Sequence, residues 1–290
     1  MELPLVVGVD GSDSSLRATD WAVDEAARHG LALRLLYASR WENYEGIALA
    51  HGLERPSGQI LAEHIVASAA ERAERRNPQV KVLTQVVPED AVNALLSAAE
   101  GAFALVTGVR GRGAITGLLL GSVSLAVAAR ARCPVIVVRG DDVSVEGRHD
   151  RILLGVGDDA PSEAVRFAFR EAQSRRGTVD AVRSWRSPAY ESADHPRLIS
   201  ESAHVHEAQA SIQLDKALSD VLSEYPTVPV RRAVVEGPAR KVLLQRAAAA
   251  DLVVVGARRR HGHLGLQLGR VAHALLHHAD CPVAVVPEQA

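Results

Sequence analysis

Two short segments of the 290-residue chain combine residue types suited to holding a phosphate group. One is Gly8-Val9-Asp10-Gly11-Ser12. The other is Gly108-Val109-Arg110-Gly111-Arg112-Gly113, followed after a gap by Gly121-Ser122-Val123-Ser124. Gly108 and Gly111 permit positive φ and a close backbone approach, which a bulky polyphosphate needs. Gly121-Ser122 opens a predicted helix, so the free amides of Ser122, Val123 and Ser124 and the positive end of the helix dipole can hold an anion. Ser122 adds a hydroxyl, and Arg110 or Arg112 can neutralise phosphate charge. Asp10, at a strand tip, can accept from a sugar hydroxyl or touch a divalent ion. No lysine follows the glycines, so this is not a Walker A loop. The glycine loop also follows the fourth strand and not the first, unlike the dinucleotide fingerprint. A plainer reading stands beside the phosphate one: the glycines are turn residues and Ser122 is a simple N-cap.

These segments must be positioned by strands and helices in alternation. In the first half, strands are predicted over Leu3–Asp10, Ala32–Ala38, Val80–Val87, Ala104–Thr107 and Val135–Val138. Helices are predicted over Ser15–His29, Gly58–Arg76, Pro88–Gly101 and about Ser122–Arg130, the first with apolar positions at Leu16, Trp21, Val23 and Ala27. Runs of Val, Leu and Ile without polar alternation predict parallel strands buried on both faces. With right-handed crossovers, this pattern gives a doubly wound five-stranded sheet. In such a sheet, ligands sit beyond the carboxyl ends of the strands where the winding reverses.

The whole unit occurs twice. Leu5-Val6-Val7-Gly8-Val9-Asp10 is answered by Ile152-Leu153-Leu154-Gly155-Val156-Gly157, and Cys133-Pro134-Val135 by Cys281-Pro282-Val283. Gly8 to Gly155 is an offset of 147 and Cys133 to Cys281 one of 148, so an entire domain is duplicated. The expected fold class is α/β, with two tandem doubly wound, Rossmann-like domains over residues 1–140 and 151–290. The polar stretch Arg139–Asp150 reads as the linker. The stretches Trp41–Arg55 and Trp185–Ala203 read as looser segments between a second strand and the following helix.

The second copy keeps the loop length but not its contents. Gly256 to Gly269 spans 13 residues, as Gly108 to Gly121 does. Arg259 stands where Gly111 stood, Arg270 replaces Ser122, and Gly157 replaces Asp10. Either this site is degenerate and the domain is a structural partner, or Arg258, Arg259 and Arg270, with Gly256 and Gly269, form a second site that binds phosphate by side chain instead of backbone. His261, His263, His273, His277 and His278 raise a metal question, but no nearby cysteine or carboxylate completes a recognised spacing. No metal site is therefore expected.

Composition excludes several classes. A formal charge of −2 offers no electrostatic footprint for nucleic acid or an anionic membrane. No run reaches the ~18 apolar residues of a membrane span, and the start of the chain does not read as a signal peptide. Each cysteine precedes Pro-Val at an apolar run, which suits a small buried side chain better than a disulfide.

In combination, Gly-x2-Gly-x9-Gly-Ser from Gly108, Gly-Val-Asp-Gly-Ser from Gly8 and the closing Cys-Pro-Val runs resemble the universal stress protein family in its tandem two-domain form. The resemblance covers nearly the whole chain. It implies a cytoplasmic stress protein that binds ATP, with magnesium as an accompanying ion. It further implies that Gly108, Gly111, Gly121 and Ser122 hold ribose and phosphates, that Asp10 lies at the nucleotide, and that Ala38 flanks adenine. The expected contact set is Val9, Asp10, Gly11, Ser12, Ala38, Gly108, Arg110, Gly111, Gly121, Ser122, Val123 and Ser124. The family's last strand commonly pairs domains or subunits, which implies pairing through Val135–Val138 and Val283–Val286 within the chain and in a homodimer. Regulation by nucleotide occupancy is the expected output. A slow ATPase would need a positioned base, and only Asp10 and Asp13 are close in sequence to the loops. A nucleotide-free scaffold is the third class.

Overall fold

The computed structural model describes residues 3–39, 57–109, 120–157, 163–186, 196–258 and 268–288. The chain divides into two compact units, Met1–Arg139 and Gly140–Ala290. In the first, the order is β1 (Leu5–Gly8), α1 (Asp13–His29), β2 (Leu33–Ala38), α2 (Ser57–Arg76), β3 (Val82–Val87), α3 (Ala91–Ala99), β4 (Ala104–Gly108), α4 (Ser122–Arg130) and β5 (Val135–Val138). The strands lie side by side as β3-β2-β1-β4-β5, every pairing parallel. Helix α1 packs on α2 and α3 on α4, the two pairs covering opposite faces of the sheet. The winding therefore reverses between β1 and β4.

The strand runs explain this arrangement. Leu5, Val6 and Val7 of β1 and all of β4 are buried, as parallel strands between helical layers must be. Each such Leu or Val contributes about 1.5–3 kcal/mol relative to an exposed position. Edge strand β3 departs from the expectation of burial on both faces, since most of it is exposed or half-exposed and Leu83 lies open. Along α1 the buried stripe is Ala18, Trp21, Ala22, Glu25 and Ala26, one helical face. Val23 is buried as expected, whereas Ala27 points outward. The helix predicted over Pro88–Gly101 starts later, because the Asp90 carboxylate accepts from the amides of Val92 and Asn93 and caps it there.

The second unit repeats the plan. After a one-turn helix α5 (Asp142–Val145) come β6 (Arg151–Gly155), α6 (Glu163–Arg175), β7 (Thr178–Trp185), α7 (Pro196–Glu224), β8 (Val230–Glu236), α8 (Ala239–Ala247), β9 (Leu252–Arg258), α9 (Arg270–His278) and β10 (Val283–Glu288). The parallel order is β10-β9-β6-β7-β8. Two sequence expectations are corrected here. The stretch read as linker contains α5, because Asp141 caps it through the Ser144 amide and Ser144 is fully buried. The stretch read as loose from Trp185 to Ala203 includes the end of β7 and the first turns of the 29-residue helix α7.

Both cysteines are free and buried, as the sequence suggests. Burial pushes the Cys133 thiol up to about 11. Among the described residues, no helix is long and apolar enough to cross a membrane.

Candidate functional site

The carboxyl ends of β2, β1 and β4 bring most of the expected contact set to one edge of the first sheet. The chain leaves β1 through buried Val9, turns at Asp10 and Gly11, and enters α1 at Ser12. Gly11 has φ 77°, the left-handed conformation that glycine adopts without penalty. Asp10 holds the turn: its Oδ1 accepts from the Ser12 amide at 3.0 Å and the Ser12 hydroxyl at 2.6 Å. Ser12 in turn accepts from the Ser15 amide at 3.3 Å, capping α1. The strand-tip acid is thus already engaged within its own loop. Ala38 ends β2, half-buried beside Val87 of β3.

Gly108 ends β4, and its expected conformation is corrected. It does not adopt positive φ. A Cβ there would lie 2.5 Å from the Ser14 carbonyl oxygen and 2.6 Å from the Ser14 carbonyl carbon. The glycine therefore admits the first turn of α1 against the strand end, a contact within the protein. Its own carbonyl accepts from the Ser124 hydroxyl at 2.8 Å, and the Val109 carbonyl accepts from the Gly121 amide at 2.7 Å. These two bonds fasten the start of α4 beside β4. Residues 110–119, with Arg110, Gly111, Arg112 and Gly113, lie outside the described residues.

Gly121 caps α4 with φ −66° and ψ 147° and offers no side-chain hydrogen bond. Among the described residues no side chain caps the first amides of α4, where Ser122 is exposed and Val123 half-buried. Ser124, expected to offer its amide, is buried and spends its hydroxyl on Gly108. Thr107, one residue before Gly108, carries a buried hydroxyl without a hydrogen-bond partner among the described residues. Neither Ser14 nor Thr107 stood out in sequence, because their roles come from the packing of α1 on β4.

The second unit arranges the equivalent edge differently. Gly256, the counterpart of Gly108, lies against the carboxylate of Glu288, whose Cδ would be 3.1 Å from an added Cβ. That carboxylate accepts from the amides of Glu163 at 2.9 Å and Ala164 at 3.3 Å, capping α6. Arg183, buried in β7, donates to the Gly157 carbonyl and to Gln213. The crevice between β6 and β9 is thus lined by the protein's own carboxylate and guanidinium. Arg258 ends β9 in register with Glu288, and Arg259 lies outside the described residues. Gly269 caps α9 without a side-chain bond, and Arg270 is exposed on its first turn. Glu288 comes from the far end of the chain, so no local spacing announces it. Of the histidines, His273 and His277 stack at 4.4 Å between ring centroids on one face of α9, while His261 and His263 lie outside the described residues.

Comparison with known proteins places this architecture. The sequence profile of the universal stress protein family matches residues 3–139 and again 148–287. A universal stress protein of Mycobacterium tuberculosis is 34% identical over 299 residues, spanning 97% of this chain and 96% of that protein. A second from the same organism is 31% identical over 296 residues, spanning 99% and 97%. The crystal structure of a universal stress protein from Archaeoglobus fulgidus superposes over 99% of both chains with a TM-score of 0.68 at 17% identity, a likeness of fold. The chain belongs to the universal stress protein family, with two copies of its domain in tandem.

Proposed function

We propose that the first unit binds ATP at the carboxyl edge of β2, β1 and β4 and that the chain acts as a nucleotide-dependent regulatory protein in the stress response. The observation that carries this reading is the uncapped start of α4, fastened beside Gly108 by the Ser124 hydroxyl and the Gly121 amide. Open amides at a helix start, with the dipole behind them, suit a phosphate group. Ser122 supplies a hydroxyl to the same anion, and Ala38 offers a small half-buried surface for the base. Asp10 is steadied by Ser12 and keeps a carboxylate near the ribose, where magnesium accompanying the phosphates would also find an oxygen ligand.

Calorimetric titration of the full chain with ATP tests the assignment, with about one ATP per chain expected. Valine tolerates the φ and ψ of Gly121, so Gly121→Val keeps the fold while its side chain covers the amides. Affinity should fall at least tenfold, roughly 1.4 kcal/mol. Unchanged affinity in that variant would move the nucleotide elsewhere, and no ATP binding by the wild type would leave a scaffold.

A further inference from the structure

Helices α8 and α9 of the second unit each bury one face, through Val242, Leu243 and Ala247 on α8 and Ala272, Leu275 and Leu276 on α9. The outer faces of the same two helices leave a groove of about 730 Å³ between them. Its floor is apolar, with Leu244, Leu268 and Ala274 half-buried. Its rim is basic: Lys241 stands exposed on α8 and His273 on α9, Arg240 and Arg270 lie at one mouth, and His278 ends the other. Among the described residues no acidic side chain lines it. Elsewhere in this unit arginines find carboxylates, Arg246 meeting Asp180 at 3.0 Å and Arg232 meeting Asp215 at 3.4 Å. Arg240, Lys241 and Arg270 meet none among the described residues.

The first unit shows what the scaffold itself requires. An offset of 148 carries α3 onto α8 and α4 onto α9. Leu96 and Ala126 then match the floor residues Leu244 and Ala274, so the floor is kept. The rim is not: Val92, Asn93 and Leu125 stand where the second unit has Arg240, Lys241 and His273. Packing two helices on this sheet therefore does not call for the charges. Like charges gathered around an apolar floor repel one another, and carboxylates laid along the rim relieve that repulsion.

The shape selects the kind of carboxylate. Each helix has nine residues and is about 13 Å long, which matches roughly two turns of a third helix lying between them. A small anion would leave Leu244, Leu268 and Ala274 uncovered, and a flat membrane surface would not reach them. An amphipathic helix covers the floor with its apolar stripe and brings flanking acids to the rim.

We propose that the outer groove between α8 and α9 docks an acidic amphipathic helix of a partner protein, its apolar stripe on Leu244 and Ala274 and its carboxylates on Lys241 and His273. The proposal does not draw on the nucleotide reading of the first unit.

Fluorescence anisotropy with the full chain tests it. The probe is a labelled 14-residue peptide of leucine, alanine and glutamate, with leucines at helical spacing and glutamates beside them. Micromolar binding that weakens as salt rises is expected for so small an interface. Lys241→Glu with Gln245→Glu should weaken it at least tenfold. Both side chains are exposed, so the unfolding transition should stay unchanged. The same peptide with lysine in place of glutamate should not bind the wild type and should bind that double variant. A scrambled peptide of equal charge, its leucines dispersed around the helix, should bind at least tenfold more weakly. Saturating ATP should leave the affinity within twofold, which separates the groove from any nucleotide site at the strand ends. No binding of the peptide, equal binding of its scrambled form, or displacement by ATP would overturn the proposal. So would tighter binding to phosphatidylglycerol vesicles than to the peptide, which would make the basic rim a membrane contact.

Discussion

The two copies share one scaffold but place their negative charges at different helix starts. In the first unit the acid sits at α3, where Asp90 bonds two amides, while α4 begins bare at Gly121. In the second the acid sits at α6, where Glu288 bonds two amides, while α8 and α9 begin bare at Pro238 and Gly269. A helix start that has its own carboxylate no longer needs an external anion. The duplicated fold thus keeps the same dipoles and changes which of them remain available. The copies differ in their caps and not in their topology.

The largest expected difference between copies lies at the paired glycines. A Cβ on residue 108 meets the backbone of Ser14, which cannot yield without moving the first turn of α1. Gly108→Ala should cost about 3 kcal/mol of the first unit's stability, the scale of overpacking against fixed atoms. A Cβ on residue 256 meets only the Glu288 side chain, which can swing away and give up its cap. Gly256→Ala should cost about 1 kcal/mol. Urea unfolding of the full chain, each transition fitted by itself, measures both. Equal costs would show that the approach of α1 to β4 is not the constraint.

A second asymmetry is Asp251, which is nearly fully buried and accepts from the amides of His149 at 2.8 Å and Arg151 at 3.0 Å. Its counterpart in the first unit is Phe103, which packs on His29 at 5.0 Å between ring centroids. The second unit therefore secures the entry to β6 with a carboxylate, where the first places an aromatic ring against the end of α1. Asp251→Ala strands two donors and should destabilise the second unit by about 2 kcal/mol, whereas Asp251→Asn keeps an acceptor and should recover about half. The same unfolding transitions read the result, and a neutral alanine variant would mean that water satisfies both amides.

These differences divide what the sequence discloses from what it conceals. The strands, the repeat and the doubly wound order were legible because apolar runs such as Leu5–Val7 and Leu252–Val255 carry their burial in their composition. The approach of Ser14 to Gly108 was not legible, since it joins segments 94 residues apart and the glycine's conformation is ordinary. Asp90 was visible as part of Pro-Glu-Asp but was read inside the helix that it caps. Glu288 and Arg183 bear on the β6–β9 crevice from β10 and β7, so only the folded register brings them there.

The smallest effect is also the most direct test of the inverted caps. Asp90→Ala removes the carboxylate bonds to Val92 and Asn93 and should cost the first unit about 1 kcal/mol. Pro238→Ala removes no side-chain bond at the start of α8. Its cost should be about 0.5 kcal/mol, from the wider freedom of the unfolded chain. The two values are close, so replicate denaturation curves with shared slopes are needed to separate them. Asp90→Ala should also open the start of α3 to anions, adding a salt-sensitive stabilisation by sulfate or phosphate that the wild-type first unit lacks there. If the alanine variants cost the same and sulfate treats them alike, the carboxylate at α3 is not what distinguishes the copies.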